Sequence, residues 1–252
     1  MKYLSKPLLL LALAGGLLSV WAQAPDQSGY VGSNTCEQCH RQGYRRFAAT
    51  KMARVFFGAP QNQLEAKGCD ACHGPGREHV EAAREHDRAR AAGIPYQGPS
   101  AGKFVLGFGK DARLSVSEQN AQCLQCHERG ARLFWKGSAH EARGLACVTC
   151  HQIHQERAPA LAAARFIEPL TNHASFSKPT QVQVCVECHP MRKAQLLRSS
   201  HMPVREGLMT CASCHNPHGG PNPTMLVAAT VNDTCYQCHP ERRGPSCGST
   251  RR

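Results

Sequence analysis

The chain has 252 residues, including 15 cysteines and 14 histidines, and aromatic residues make up only 6%. So few aromatics exclude a large protein-only core, and so many soft and imidazole donors point to a bound group that replaces it. The formal charge of +12 invites a nucleic-acid reading, which the chemistry of the cysteines removes below.

In chain order, the first feature is an export signal. Lys2 and Lys6 form a basic n-region, Leu8 to Val20 an apolar run, and Ala22-Gln23-Ala24 a small-x-small cleavage site. This predicts a Sec leader over 1–24 and a periplasmic location. The run is short for a membrane span, and no later stretch could cross a bilayer. The 25–92 unit follows, with Cys-x-x-Cys-His at Cys36–His40 and Cys69–His73. Residues 93–109 are rich in Gly and Pro and read as a linker. The 110–158 unit carries Cys123–His127 and Cys147–His151, and 159–182 is a weaker linker. The 183–220 unit carries Cys185–His189 and Cys211–His215. The 221–252 segment opens a fourth unit with Cys235–His239 and no partner motif.

The seven motifs consume all but one of the cysteines. The pairs are Cys36 and Cys39, Cys69 and Cys72, Cys123 and Cys126, Cys147 and Cys150, Cys185 and Cys188, Cys211 and Cys214, and Cys235 and Cys238. Cys-x-x-Cys-His is the attachment signature of c-type haem. Two thiols form thioethers to the haem vinyls, and the next imidazole binds the iron. The proximal ligands are then His40, His73, His127, His151, His189, His215 and His239. Zinc ribbons use paired Cys-x-x-Cys without a His after every second Cys, and a redox disulfide motif occurs singly beside a βαβ pattern. Seven motifs without exception favour seven covalent haems c. Each haem brings two propionates. With the leader lysines removed the charge is +10, so the loaded protein is expected near neutral, with no nucleic-acid partner.

With haem as the core, the expected fold is mostly α with long loops and little or no sheet, built from repeated two-haem units. Apo-protein is expected to be largely unfolded. Seven histidines remain outside the motifs. His140 follows His127 by 13 residues and His201 follows His189 by 12; His154 and His218 each stand three after a proximal His. These four are candidate distal ligands, as is His79, six after His73. A His three after a proximal His is poorly placed for the same iron, so His154 and His218 are expected to serve neighbouring haems. Met52 stands twelve after His40, at the register position of His140 and His201. As a ligand it would raise the potential of one haem; as an ordinary Met it would be packing. His173 is a further candidate, and His86 reads as solvated in the charged helix from Val80 to Ala92.

Four stretches carry a family resemblance: Gly29 to Cys36, Cys69 to Gly76, Gly137 to His140 with Cys147 to His154, and Ser199 to Glu206 with Cys211 to Gly219. They resemble the DmsE-type periplasmic decahaem c-type cytochromes. The resemblance implies ten haems where this chain has seven motifs. The family segment after Arg-Arg-Gly-Pro resembles Phe-Leu-Trp-Glu-His-Pro-Pro, and codons allowed by Pro245 to Arg252 spell that string in another frame. A frameshifted C-terminus is the expectation, against a true seven-haem protein with a short tail.

The expected function is periplasmic electron transfer rather than catalysis. One redox partner expected is an inner-membrane quinol dehydrogenase, with the direction of flow open. The resemblance implies the other, an outer-membrane β-barrel with an extracellular cytochrome beyond it and association at the outer membrane; a terminal reductase is the alternative. One alternative is a soluble shuttle to a periplasmic reductase. The other is a multihaem nitrite, hydroxylamine or tetrathionate enzyme, which would need an open axial site beside acid or base groups. All seven motifs end in His, which argues against it.

Overall fold

The computed structural model describes residues 28–154, 175–200 and 202–244. The leader, the segment 155–174 with His173, His201, and the tail 245–252 lie outside the described residues.

Helix formation follows the motifs. Helix α1 (Ser33–Cys39) carries the first motif, α2 (Arg41–Ala48) and α3 (Lys51–Ala53) follow it, and α4 (Gln63–Ala66) leads into α5 (Asp70–His73) at the second. Helix α6 (Arg77–Ala91) is the longest. Then come α7 (Val116–Leu124), α8 (Ala139–Ala142), α9 (Cys147–Cys150), α10 (Gln181–Cys188), α11 (Pro190–Leu196) and α12 (Val231–Tyr236). Short helices are marginal alone, and side-chain caps fix where several of these begin. Ser115 and Thr180 form reciprocal capping boxes with Glu118 and Gln183. Thr230 caps α12 through the amide of Asp233. These three caps precede motif-bearing helices, so each sets the phase of a Cys-x-x-Cys-His turn. Among the described residues there is no named strand, only the isolated bridges His151–Phe176 and His215–Leu226.

The protein core is small. The buried apolar residues are Phe47, Trp135 and four alanines. Leu133, Met191, Leu197, Met202, Leu208 and Val231 stand exposed. Apolar surface without a protein partner is what a chain wrapped around large planar cofactors presents. The fold is therefore mostly helical with long connections, as expected. No helix among the described residues is long and apolar enough to cross a membrane.

The stretch 93–109, read as a linker, also packs. Its Ala101–Phe104 turn lies along α6. Leu106 N–H donates to the His73 carbonyl at 2.9 Å. Gly109 donates to Gln119 Oε1 at 2.9 Å, and Gln119 Nε2 returns a bond to Gly109 O at 3.2 Å. The segment is a strap across the second motif and into α7. One glycine here is obligatory: Gly68 has φ +61°, and an added Cβ would lie 2.0 Å from Ser33 Oγ. That hydroxyl is in use, accepting from Cys69 N–H at 3.1 Å.

Candidate haem-binding array

All seven motifs adopt one local shape. The His amide donates to the carbonyl of the first Cys in every case, at 2.9–3.1 Å. This single α-turn puts both thiols on one side, since positions i and i+3 share a helix face, and swings the imidazole onto the next turn.

The motifs meet in an alternating succession. Cys36 hydrogen-bonds Cys69, Cys123 bonds Cys147, and Cys185 bonds Cys211, so the first thiols of successive odd and even motifs touch. Within these pairs the donor thiols Cys36, Cys147 and Cys185 are pushed up. The acceptors are pulled down, Cys69 to about 6 and Cys211 to about 7, each by the bond from its partner. Between pairs the second thiols approach. Burial, and then the charge of Cys126, raise Cys72 to about 11. Burial and then Cys188 raise Cys150; burial and then Cys235 and Cys238 raise Cys214. The motifs thus follow one another in sequence order from Cys36 to Cys238.

Polar clamps hold these junctions. Asp70, only 3% exposed, accepts from Val31 and Gly32 N–H through Oδ2 at 3.1 and 2.8 Å and from Gly76 N–H through Oδ1 at 3.0 Å. Asn120, 5% exposed, accepts from Cys147 N–H at 2.7 Å and donates to Leu145 O at 3.0 Å. Gln181 Oε1 accepts from Ala212 N–H at 3.0 Å. Asp70 and Asn120 escaped the sequence reading. The one signal available was an acidic residue inside Cys69-Asp70-Ala71-Cys72, where an exposed x position would be unremarkable. Replacing Asn120 with alanine strands the Cys147 amide and the Leu145 carbonyl, at about 2–3 kcal/mol for two broken bonds at a nearly buried site. The check is thermal unfolding of the haem-loaded protein, with an expected fall in Tm of roughly 5–10 °C.

Histidines from distant parts of the chain face each other. His40 and His79 ring centres lie 5.9 Å apart, His73 and His154 6.1 Å, His151 and His218 6.0 Å, and His140 and His189 6.3 Å. Each pair joins a motif His to one outside the motifs. An imidazole nitrogen sits about 2 Å from a bound metal and about 1 Å from its ring centre, so two imidazoles on one ion place their centres roughly 6 Å apart. The four pairs fit a shared iron. The opposite nitrogens are anchored to carbonyl oxygens: His73 Nδ1 on Leu106 at 2.8 Å, His79 on Ala101 at 3.0 Å, His140 on Pro217 at 2.7 Å and His154 on Gly43 at 3.2 Å. His215 Nδ1 is likewise on Thr224 O at 3.0 Å. Such bonds fix Nδ1 as the donor and free Nε2 to ligate. Burial lowers the pKa of His73, His127 and His218, the last to about 4, and so favours the neutral form that binds metal.

His127, His215 and His239 face no second imidazole among the described residues. His86 is 54% exposed, stands 3.8 Å from Asp87 and packs edge-on to Tyr96. Met52 lies half-buried in α3. The buried Nε of Arg132, Nε1 of Trp135 and Nδ1 of His218 have no hydrogen-bond partner in the polypeptide. Three orphaned donors beside facing imidazoles fit a group with carboxylate arms.

A helical chain with Cys-x-x-Cys-His turns in close succession, facing imidazoles and almost no protein core defines a multihaem c-type cytochrome. Residues 69–167 match the family of cytochrome c-type NrfB-like proteins, and residues 201–244 match the doubled CXXCH motif. The chain is 31% identical over 214 residues to the multihaem cytochrome MtrA of Shewanella baltica, covering 85% of this chain and 54% of that protein. It is 28% identical over 130 residues to the cytochrome c-type protein NrfB of Haemophilus influenzae, covering 51% of this chain and 46% of the relative. The chain spans about half the length of the curated relatives it matches. Its similarity to a multihaem cytochrome over 85% of its own length is in keeping with the DmsE-type resemblance of its motifs.

Proposed function

We propose that this chain carries electrons along seven covalently bound haems in the periplasm, between an inner-membrane quinol dehydrogenase and an outer-membrane β-barrel, an extracellular cytochrome or a terminal reductase. Haem c supplies reversible one-electron chemistry when bound. The motif cysteines would anchor it, and each motif His would supply one iron ligand. His79, His154, His140 and His218 would supply the second ligand to the irons of His40, His73, His189 and His151. Arg132 and Trp135 meet haem carboxylates. The observation that carries this reading is the set of imidazole pairs that link one unit to the next, His73 with His154 and His151 with His218, while the first thiols of the two motifs touch inside each unit, which suits conduction along the chain. A second reading, a shuttle to a periplasmic reductase, draws support from the NrfB-like match over 69–167.

The intact mass of the haem-staining protein from its native cells, together with its iron spin state, tests the proposal. Low-spin iron throughout is the expected result, with at least the seven haems of the motifs. A high-spin haem that turns over nitrite, hydroxylamine or tetrathionate overturns it in favour of an enzyme. Electron delivery by the reduced protein to membrane vesicles bearing a β-barrel, or instead to a soluble reductase, separates the two carriers.

A further inference from the structure

We propose that Met52 is the axial ligand opposite His127, so that the haem of Cys123, Cys126 and His127 is a His–Met site among the bis-histidine sites of the four facing pairs. This rests on the axial pairing proposed above and extends it to an iron that faces no second imidazole among the described residues.

The pairs obey a rule. The even motif of one unit faces the His three residues past the even motif of the next: His73 faces His154, and His151 faces His218. An odd motif faces the lone residue of the preceding unit, as His189 faces His140. The motif of His40 departs from this and faces His79. Applied to His127, the rule selects the lone position of the first unit, which is Met52.

Local structure supports the equivalence. Met52 and His140 each occupy the second position of a short helix. Thr50 caps Met52's helix through the amide of Ala53 at 3.1 Å, and Ser138 caps that of His140 through Glu141 at 3.1 Å. Both caps are extended residues, with ψ of 160° and 156°. Five residues before Met52 stands Phe47, and five before His140 stands Trp135, both nearly buried. Phe47 packs on His154 at 5.8 Å, and Trp135 packs on His218 at 6.3 Å. In both units, then, the aromatic residue five before the lone position rests on the distal His of the following unit. His86 does not compete, since it is exposed and engaged with Tyr96 and Asp87.

The chemistry differs from the neighbours in a directed way. A thioether stabilises ferrous iron relative to a second imidazole and raises the potential. The third haem along the chain then holds its electron more tightly than those on either side, a local sink in the array.

The test uses the full haem-loaded protein. The oxidised wild type is expected to show the red-region charge-transfer band of methionine-ligated ferric haem, and one haem is expected to reduce at higher potential than the rest. Met52→His, the residue the register has elsewhere, removes the whole band and merges that haem with the others, while intact mass keeps the haem number. Met52→Leu also removes the band and yields one high-spin haem. A wild type without the band, a band that survives Met52→His, or a wild-type high-spin haem that Met52→His makes low-spin each overturns the assignment. The low-spin bis-histidine signals are read separately, and their absence from wild type and variant would instead count against the axial pairs.

Discussion

Replacing His154 with alanine is expected to convert one haem per chain, that of Cys69, Cys72 and His73, from low-spin to high-spin iron. His154 meets His73 across 6.1 Å between ring centres, and among the described residues no other imidazole faces His73 at that span. The same side chain ties the first unit to the second across 111 residues through Nδ1 and the Gly43 carbonyl at 3.2 Å. It also packs on Phe47. The variant therefore loses a metal bond, a hydrogen bond of about 1 kcal/mol, and the contact that covers a nearly buried aromatic, a cavity cost of about 1–3 kcal/mol. Spin state read by electron paramagnetic resonance is the direct check. Added imidazole is expected to restore the low-spin signal without restoring the thermal stability, because the free ligand replaces the iron bond and not the Gly43 and Phe47 contacts. His86→Ala is the control, with an unchanged spectrum. A His154→Ala protein that stays fully low-spin would show that another group ligates this iron.

How much of this site was legible in the sequence depends on the range of the interaction that makes it. The motif turn is local: five residues close it through one amide, and it occurs at all seven places expected. The small core and helical class followed from composition. His154 and His218 were expected to leave their own motifs for neighbouring haems, but the sequence could not say which, because what seats His154 beside His73 is its long-range contact with Gly43 and Phe47 of α2. The Gly/Pro stretch 93–109 read as a linker from its residues. Its backbone carbonyls at Ala101 and Leu106 orient His79 and His73, and carbonyl placement leaves no mark in residue identity. Asp70 and Asn120 were missed for the same reason. Their partners are backbone amides, which every residue but proline carries.

Replacing Asp70 with alanine is expected to destabilise the first pair of haem sites more than any other single change outside the ligands. One carboxylate takes three amides, from Val31, Gly32 and Gly76. The first two lie where the chain enters α1, and the third begins α6. Asp70 thus pins three segments at the point where Cys36 meets Cys69. Alanine leaves these amides without an acceptor in a site where the side chain was 3% exposed. At about 1–3 kcal/mol for each stranded group, and with partial relaxation, the loss is about 4 kcal/mol, or a Tm roughly 10 °C lower. The substitution Asp70→Asn does less harm. The carboxamide oxygen can keep the Val31 and Gly32 amides, but the NH2 group then confronts the Gly76 donor. The expected order of Tm is wild type above Asp70→Asn above Asp70→Ala. The same order is expected in the fraction of chains with haem attached at Cys36 and Cys39, read by peptide mass, because attachment needs the α1 turn held in place. The two readouts separate explanations. If Asp70 acted only on its own motif turn, attachment would fail at Cys69 and Cys72 and remain complete at Cys36 and Cys39. Failure at both motifs is what a shared clamp produces, and an unchanged Tm in Asp70→Ala would sink the clamp altogether.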